Sequence, residues 1–249
     1  MLEELYLPNN HDRDTDGNKV AGTGLTGGVP AWLNGMTNMT ELWLWGNSLS
    51  GPVPDLSGMT SLDKLKLNWN ELDGGVPAGD MLPPDVTWLI LDRNDFGGEI
   101  PDLSGLSSLF LLWLWENGLT GEIPDGTNFP ASLDDLNLRD NMLEGEIPDL
   151  SNLDNLTRLR LHNNMLTGEV PGSLGGLDSL ERLWLHNEDA SKTSYGNNAF
   201  TSIHADVADL ADTLTHMYVN GIAAGACLPG DLADVMYNDF DDAGIAACQ

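Results

Sequence analysis

The chain has 249 residues and carries 39 acidic side chains against 10 lysines and arginines, which gives a formal charge of −29 near neutral pH. A surface this negative repels polyanions, which argues against nucleic acid and against acidic membrane surfaces as general partners. The hydrophobic fraction of 41% is sufficient for a packed core. No apolar run is long enough to span a bilayer, so no membrane insertion is expected.

The first segment of the chain, LEELYL after Met1, already has the pattern of a repeat strand. No signal peptide precedes it, and an open end of a repeat array would expose its core. We therefore expect that an N-terminal cap has been removed or that the sequence is part of a longer chain. The protein itself is expected to be monomeric or part of that longer chain.

An insertion of about residues 11–24 interrupts the first repeat and contains the motif D-x-D-x-D-G. The motif resembles the calcium loops of EF-hands and dockerins, in which alternating oxygen ligands converge on one cation. Thr23 stands where an EF-hand has a bidentate glutamate, so a bound Ca²⁺ would be held weakly. A solvated acidic turn without metal is the alternative. The candidate calcium ligands are Asp12, Asp14, Asp16 and Asn18.

From residue 41 onward the sequence repeats with a period of 23 or 24 residues, and each unit contains L-x-L-x-x-N-x-L-x-G-x-[IV]-P. The asparagines in register are Asn47, Asn70, Asn94, Asn117, Asn141 and Asn164. The alternating leucines predict a short strand with one buried face. Because a buried polar group must be paired, the asparagine is predicted to turn inward and bond to the backbone of adjacent coils. The glycine and proline then turn the chain back.

This repeat predicts an α/β-type solenoid over residues 1–222 with a parallel concave sheet of about nine strands, because no single coil can bury its own apolar edge. The L-x-G-x-[IV]-P signature resembles the plant-type leucine-rich repeat of receptor-kinase ectodomains, of polygalacturonase-inhibiting proteins and of some bacterial surface proteins. The resemblance implies a curved, right-handed superhelix that binds peptides, proteins or glycans on its concave sheet. Plant ectodomains carry a cysteine-bearing N-terminal cap that this sequence lacks.

A second insertion, about residues 188–198, follows Asn187, and the repeat resumes at Phe200. Both insertions come directly after a strand, so we expect their loops beside one edge of the concave sheet, as the lips of a groove. Neutral decoration is the alternative. After Ile203 the repeat weakens, although Met217 and Val219 keep the apolar positions of one more strand.

The last segment, residues 223–249, has no repeat and is predicted to cap the final coil, with a short helix around residues 231–236. It contains the two cysteines of the chain, Cys227 and Cys248. A pair confined to one terminal segment fits a disulfide better than a metal site, which needs more ligands. A disulfide indicates an oxidising compartment, so an extracellular or cell-surface location is expected.

Two residue types are concentrated at the outward positions of the predicted strands: six of the 8 tryptophans and six of the 10 lysines and arginines. The candidate ligand-binding residues are Trp43, Trp45, Lys64, Lys66, Trp88, Trp113, Trp115, Arg139, Arg158, Arg160, His162, Arg182, Trp184, His186 and Tyr218. Exposed aromatic patches mark interaction sites, and guanidinium groups bind carboxylates or sulfates. Two alternatives remain: the tryptophans cover their neighbours across the sheet, and the arginines pair laterally with Asp135 and other acids.

These features favour a recognition module that binds an extended anionic glycan or a protein or peptide segment along the concave face. A calcium-dependent structural or adhesion spacer of a larger surface protein is the second interpretation. An enzyme is not expected, because the sequence has no nucleophile elbow, zinc-protease motif, P-loop or dinucleotide fingerprint. His162 and His186 lack an evident third ligand for a shared metal. Ice binding would require flat rows of threonine, which the outward positions do not show.

Overall fold

The computed structural model describes residues 2–8, 24–187 and 195–219. Outside these ranges lie most of the second insertion, the predicted cap at residues 223–249 with its two cysteines, and the four predicted calcium ligands. Calcium binding, the disulfide and the cap therefore stay predictions.

Nine parallel strands form one sheet, and their order in the sheet is their order in the chain. The strands are Glu4–Tyr6, Glu41–Trp43, Lys64–Lys66, Trp88–Ile90, Leu111–Trp113, Asp135–Asn137, Arg158–Arg160, Arg182–Trp184 and His216–Tyr218. The pairing is in register throughout, so the first residue of each strand lies beside the first residue of its neighbours. This confirms the predicted parallel sheet of a curved repeat solenoid.

The central residue of each strand points into the coil and forms the core. From the second strand onward these residues are fully buried: Leu42, Leu65, Leu89, Leu112, Leu136, Leu159, Leu183 and Met217. In the first strand Leu5 is only partly buried, because no coil precedes it in the described residues. Burial of one leucine contributes about 1.5–3 kcal/mol, and here each coil obtains that burial only from the coils beside it.

The opposite side of each coil consists of short strands and 3-10 helices. The strands are Thr26–Gly27, Ser48–Gly51, Glu71–Leu72, Gly97–Gly98, Gly118–Leu119, Glu144–Gly145, Met165–Val170 and Ala199–Ile203. The 3-10 helices are Ala31–Gly35, Gly79–Met81, Gly126–Asn128, Gly172–Gly176 and Ala205–Asp212. None of these described helices is long and apolar enough to cross a membrane.

The helical side differs from the predicted α/β type, since the part of the chain that the structure describes contains 3-10 helices and no α-helix. The repeat leaves few residues between the turn and the next strand, and a 3-10 helix spans more length per residue than an α-helix. The turn itself depends on glycines such as Gly121 and Gly145, whose φ angles of 78° and 80° are unfavourable for other residues.

The six predicted asparagines form a buried ladder through the stack, with at most 7% exposure. Asn141 is typical. Its Oδ1 accepts a hydrogen bond from the Leu119 N–H of the preceding coil at 3.1 Å. Its Nδ2 donates to the carbonyl oxygens of Leu114 in that coil and of Leu138 in its own coil, both at 3.0 Å. The predicted inward orientation is confirmed, and each asparagine joins two coils.

The final coil is more regular than the sequence indicated. Asn198, which the sequence placed inside the second insertion, is a further member of the ladder: its side chain accepts from Leu166 N–H at 3.0 Å and donates to Leu161 O at 3.0 Å. Asn187 closes the insertion by bonding to both backbone groups of Asn198. Although the repeat motif weakens after Ile203, the coil continues there, with Val207, Leu210 and Leu214 in the core and the last strand, His216–Tyr218, at the predicted position.

We expect Asn141→Ala to lower the free energy of unfolding by about 3 kcal/mol, because it leaves the buried Leu119 N–H without its acceptor and removes one of the asparagine hydrogen bonds at each of the Leu114 and Leu138 carbonyl groups. Urea denaturation would measure the change. Asn155→Ala is the matched control, since Asn155 is exposed and makes a single bond to Ala131 O at 2.8 Å. An Asn141→Ala protein with the wild-type midpoint would contradict the role of the ladder.

Candidate ligand-binding face

The in-register strands arrange their outward side chains in three rows that run across the sheet. The first row, from the first residue of each strand, is Glu4, Glu41, Lys64, Trp88, Leu111, Asp135, Arg158, Arg182 and His216. The second row, from the third residue, is Tyr6, Trp43, Lys66, Ile90, Trp113, Asn137, Arg160, Trp184 and Tyr218. The third row, two positions further on, is Pro8, Trp45, Asn68, Asp92, Trp115, Arg139, His162 and His186.

All fifteen candidate residues lie in these rows, on one side of the sheet. Fourteen of them are half-buried, because each side chain is partly covered by its neighbours in the adjacent coils. The exception is His162, which is only 5% exposed and therefore is a poor ligand contact in this structure.

Four of the candidate cations are paired with acids of the sheet or of its edge. Lys64 Nζ lies 2.7 Å from Glu41. Arg139 contacts Asp140 at 2.5 Å. Arg158 lies 3.2 Å from Asp134, and Arg160 lies 2.7 Å from Asp135. For the three arginines, these contacts are the lateral pairing that was the alternative to ligand binding.

The tryptophan rings are also engaged laterally. Lys66 Nζ lies 3.7 Å from the centroid of the Trp43 ring and 5.0 Å from that of Trp88. Trp184 has the Arg160 guanidinium 4.6 Å from its centroid and stacks on Tyr218 at 5.9 Å with an interplanar angle of 2°. Cations and rings thus alternate across the strands, with each cation–π contact contributing about 0.5–1 kcal/mol where it is exposed.

A fourth row, which the sequence did not suggest, follows the third. The residue before each ladder asparagine has a left-handed backbone at Trp69, Arg93, Glu116, Asp140 and Asn163, with φ between 48° and 58°. Gly46 occupies the equivalent position in an earlier coil, with φ of 69°. That glycine, together with the Asp and Asn at this position, is the sequence signal that could have identified the conformation.

The fourth row combines with the third in a mixed stack. The Arg93 guanidinium lies 4.5 Å from the centroids of both the Trp69 and Trp115 rings, and Arg139 lies 4.0 Å from the centroid of Trp115. Arg93 also contacts Glu116 at 2.9 Å. Both faces of the Trp115 ring are therefore within reach of the protein's own guanidinium groups.

With Arg93 included, every lysine and arginine of the described residues lies on this face or its edge. The set is Lys64, Lys66, Arg93, Arg139, Arg158, Arg160 and Arg182. Lys66 and Arg182 differ from the other five, because neither has an ion-pair partner within residues 2–8, 24–187 and 195–219.

Burial dominates the electrostatics of the face. Desolvation raises the pKa of Asp92, which is 1% exposed, to about 7. Desolvation also raises the pKa of Asp135 and lowers that of Arg160, although the two groups attract each other. The pKa of Lys66 is lowered for the same reason. These groups are held in a partly dry environment, where charged partners interact more strongly than in water.

His162 and His186 form a stacked pair with ring centroids 4.6 Å apart and an interplanar angle of 13°. Desolvation, together with the smaller electrostatic effects of His186, Arg139 and Arg160, lowers the pKa of His162 to about 2. Desolvation likewise lowers the pKa of His186 to about 4. Both rings are therefore neutral at pH 7. Within the described ranges no group of three or more His, Cys, Asp or Glu residues could hold a metal ion.

The centre of the face is apolar. Two adjacent strands contribute Trp88 and Ile90, and Leu111 and Trp113, with Leu111 beside Trp88 and Trp113 beside Ile90 in the pairing register. Lys64 and Lys66 precede this patch, and the strands that carry Arg158 and Arg182 follow it. The face can thus offer apolar contact in the middle and positive charge at both ends.

The chain is similar to one family model and to several solved structures. A family model described as Leucine Rich Repeat matches residues 155–177. No curated protein is significantly similar to the chain in sequence. Among solved structures, the Arabidopsis receptor kinase HAESA in complex with the peptide hormone IDA and the co-receptor SERK1 is 30% identical, with a TM-score of 0.72, over 94% of this chain and 40% of that chain.

Two further receptors agree with that match. The plant peptide hormone receptor RGFR1 in complex with RGF2 is 28% identical, with a TM-score of 0.72, over 85% of this chain and 33% of its own. The complex PEPR1-AtPEP1 is 29% identical, with a TM-score of 0.70, over 84% of this chain and 28% of that one. The chain therefore spans between 28% and 40% of the length of these receptors.

We expect the buried His162 to make stability fall in acid. An unfolded chain protonates this ring below about pH 6.5, whereas the folded protein does not until about pH 2, so stability is lost as the pH drops through that window. The variant His162→Phe keeps a ring in the stack but cannot be protonated. Relative to this variant, the free energy of unfolding of the wild-type protein should fall by about 1.4 kcal/mol for each unit by which the pH is lowered between pH 6 and pH 4.

Urea unfolding of both proteins at pH 7, 6, 5 and 4 would measure this difference. The comparison with the variant is necessary because Asp92, whose pKa is raised, has the opposite effect in both proteins: its stabilisation is lost as the pH rises from 3.8 to about 7. Parallel curves for the two proteins would show that His162 is not held neutral by the fold.

Proposed function

Because the chain is a leucine-rich-repeat solenoid similar to plant receptor ectodomains, we propose that it is a recognition module whose concave face binds an extended peptide or protein segment. Its surroundings would be extracellular or at a cell surface, and its role would be binding without catalysis. The solved receptors support this proposal, since their structures contain peptide hormones. Those receptors are considerably longer than this chain, so the proposal concerns the face alone.

The observation that carries the proposal is the lateral packing of the concave face. Rows of cations and rings hold one another across the strands, so the side chains are already ordered before a ligand arrives. Ordering a rotamer-rich side chain costs about 0.5–1.5 kcal/mol on binding, and a preorganised face avoids much of that cost. A half-exposed indole that the fold does not need for its core is also typical of an interaction surface.

The same packing favours a peptide over a glycan. A sugar ring stacks on a free aromatic face, yet the faces of Trp115 and Trp184 lie against guanidinium groups or another ring of the protein. Trp88, Leu111 and Trp113 of the apolar patch are half-buried, and they suit aliphatic or aromatic side chains of a peptide. An anionic polysaccharide is therefore the less favoured ligand.

The calcium-dependent structural or adhesion role is a separate proposal. It depends on Asp12, Asp14, Asp16 and Asn18, which lie outside the described residues, and on the strongly acidic composition. A titration with Ca²⁺ that raises the melting temperature of the wild-type protein, and has no effect on an Asp14→Ala variant, would support it.

We expect Trp113→Ala to weaken peptide binding at least tenfold, because truncating a central aromatic residue of an interface usually removes most of its contact. The probe is the pool of 12-residue peptides that the wild-type protein enriches from a random display library, measured by fluorescence anisotropy. Trp32→Ala is the matched control, since Trp32 is 68% exposed on the 3-10 helix Ala31–Gly35, away from the concave rows.

Thermal melting of both variants would show that each remains folded. Equal affinity of the wild-type and Trp113→Ala proteins for the enriched peptides would contradict the assignment of this face. An enrichment of no peptides, together with saturable binding of an acidic polysaccharide such as alginate, would instead contradict a peptide as the ligand.

A further inference from the structure

Lys66 and Arg182 are the two cations of the face whose charge the described residues leave without an acidic partner. Lys66 Nζ lies between the Trp43 and Trp88 rings, 3.7 Å and 5.0 Å from their centroids. The Nε of Arg182 is buried without a hydrogen-bond acceptor. Its register neighbours are Arg158 and His216, so neither adjacent residue of its row is acidic.

The other cations of the face are already neutralised by the protein. A ligand carboxylate at Arg160 would have to compete with Asp135 at 2.7 Å, and one at Lys64 would compete with Glu41 at the same distance. Among the described residues no carboxylate lies within ion-pair distance of Lys66 or Arg182, so a ligand carboxylate there would displace no ion-pair partner. Because a charge-assisted hydrogen bond is about twice as strong as a neutral one, these two positions favour acidic groups most.

The apolar patch lies between the two unpaired cations. In sheet order the strand of Lys66 is followed by the strands of Trp88 and Ile90 and of Leu111 and Trp113, and the strand of Arg182 comes three places later. Five strand spacings of about 4.8 Å separate the two cations, or about 24 Å. An extended peptide advances about 3.3 Å per residue, so this span corresponds to about seven residues.

We propose that the ligand is a peptide segment with two acidic side chains about seven residues apart and apolar side chains between them, one acid binding Lys66 and the other Arg182. The inference rests on the proposed function, and it specifies the ligand class of the same face. The rest of the chain supports it: with a net charge of −29, a rigid acidic ligand of the wrong spacing meets repulsion that these two cations cannot offset.

Synthetic peptides of eleven residues test the spacing directly. Three peptides share the same serine and leucine background and have acetylated N-termini and amidated C-termini, so that no terminal charge contributes. The first has two glutamates seven residues apart, the second has them three residues apart, and the third has glutamines at the positions of the first. We expect the first to bind at least tenfold more tightly than the other two by fluorescence anisotropy.

Substitutions in the protein test whether Lys66 and Arg182 are the cations that bind the two acids of the peptide. Lys66→Met and Arg182→Met should each weaken binding of the first peptide about tenfold. Each variant should then bind the first and second peptides with similar affinity. Asn155→Asp is the matched control, because it lowers the net charge by the same one unit at an exposed position outside the concave rows. We expect this control to change the affinity less than threefold.

Two outcomes would overturn the inference while leaving peptide recognition intact. One is equal binding of the glutamate and glutamine peptides, and the other is a library-enriched peptide that Trp113→Ala weakens but whose sequence contains no acids. Failure of all three synthetic peptides to bind would also contradict the proposed spacing of seven residues between the two acids of the ligand. The library experiment decides the proposed function independently, because its peptides are not restricted to acidic sequences.

Discussion

The buried asparagine ladder is the interaction on which the rest of the structure depends. Each asparagine joins its own coil to the preceding one through one accepted and two donated hydrogen bonds, as Asn141 does with Leu119, Leu114 and Leu138. These bonds fix the register between neighbouring coils, because a shift by one residue would leave buried backbone groups without partners. The straight rows of side chains on the concave face follow from that register.

Once the rows exist, their chemistry determines what the face can do. Equivalent positions lie one strand spacing apart, which is close enough for a cation to contact a ring or an acid in the next coil. Arg93 and Arg139 with Trp115 are an example, and Arg160 with Asp135 and Trp184 is another. Most charged and aromatic groups of the face are therefore already partnered within the protein. The few cations without an acidic partner are the exceptions.

Features that repeat with the sequence period could be predicted, whereas features that depend on contacts between neighbouring coils could not. The nine strands, the buried leucines and the asparagine ladder follow from a spacing of 23 or 24 residues, so they could be placed in advance. The burial of His162, the membership of Asn198 in the ladder and the stack around Arg93 depend on contacts between coils. No single repeat carries that information, and the left-handed backbone at Arg93 is indicated only by the residues at equivalent positions of other coils, namely Gly46, Asp140 and Asn163.

The distribution of charge adds a final constraint on recognition. Every described lysine and arginine lies on the concave face or its edge, whereas the turns on the opposite side carry glutamates such as Glu99, Glu122 and Glu146. At physiological ionic strength the repulsion from those acids falls off within about 8 Å, so it acts only on a ligand that is close to the surface. An acidic ligand is therefore disfavoured over most of the described surface. It is favoured only along the concave rows, at positions where a cation has no acidic partner. Selectivity in such a protein comes as much from the acids that exclude a ligand as from the cations that hold it.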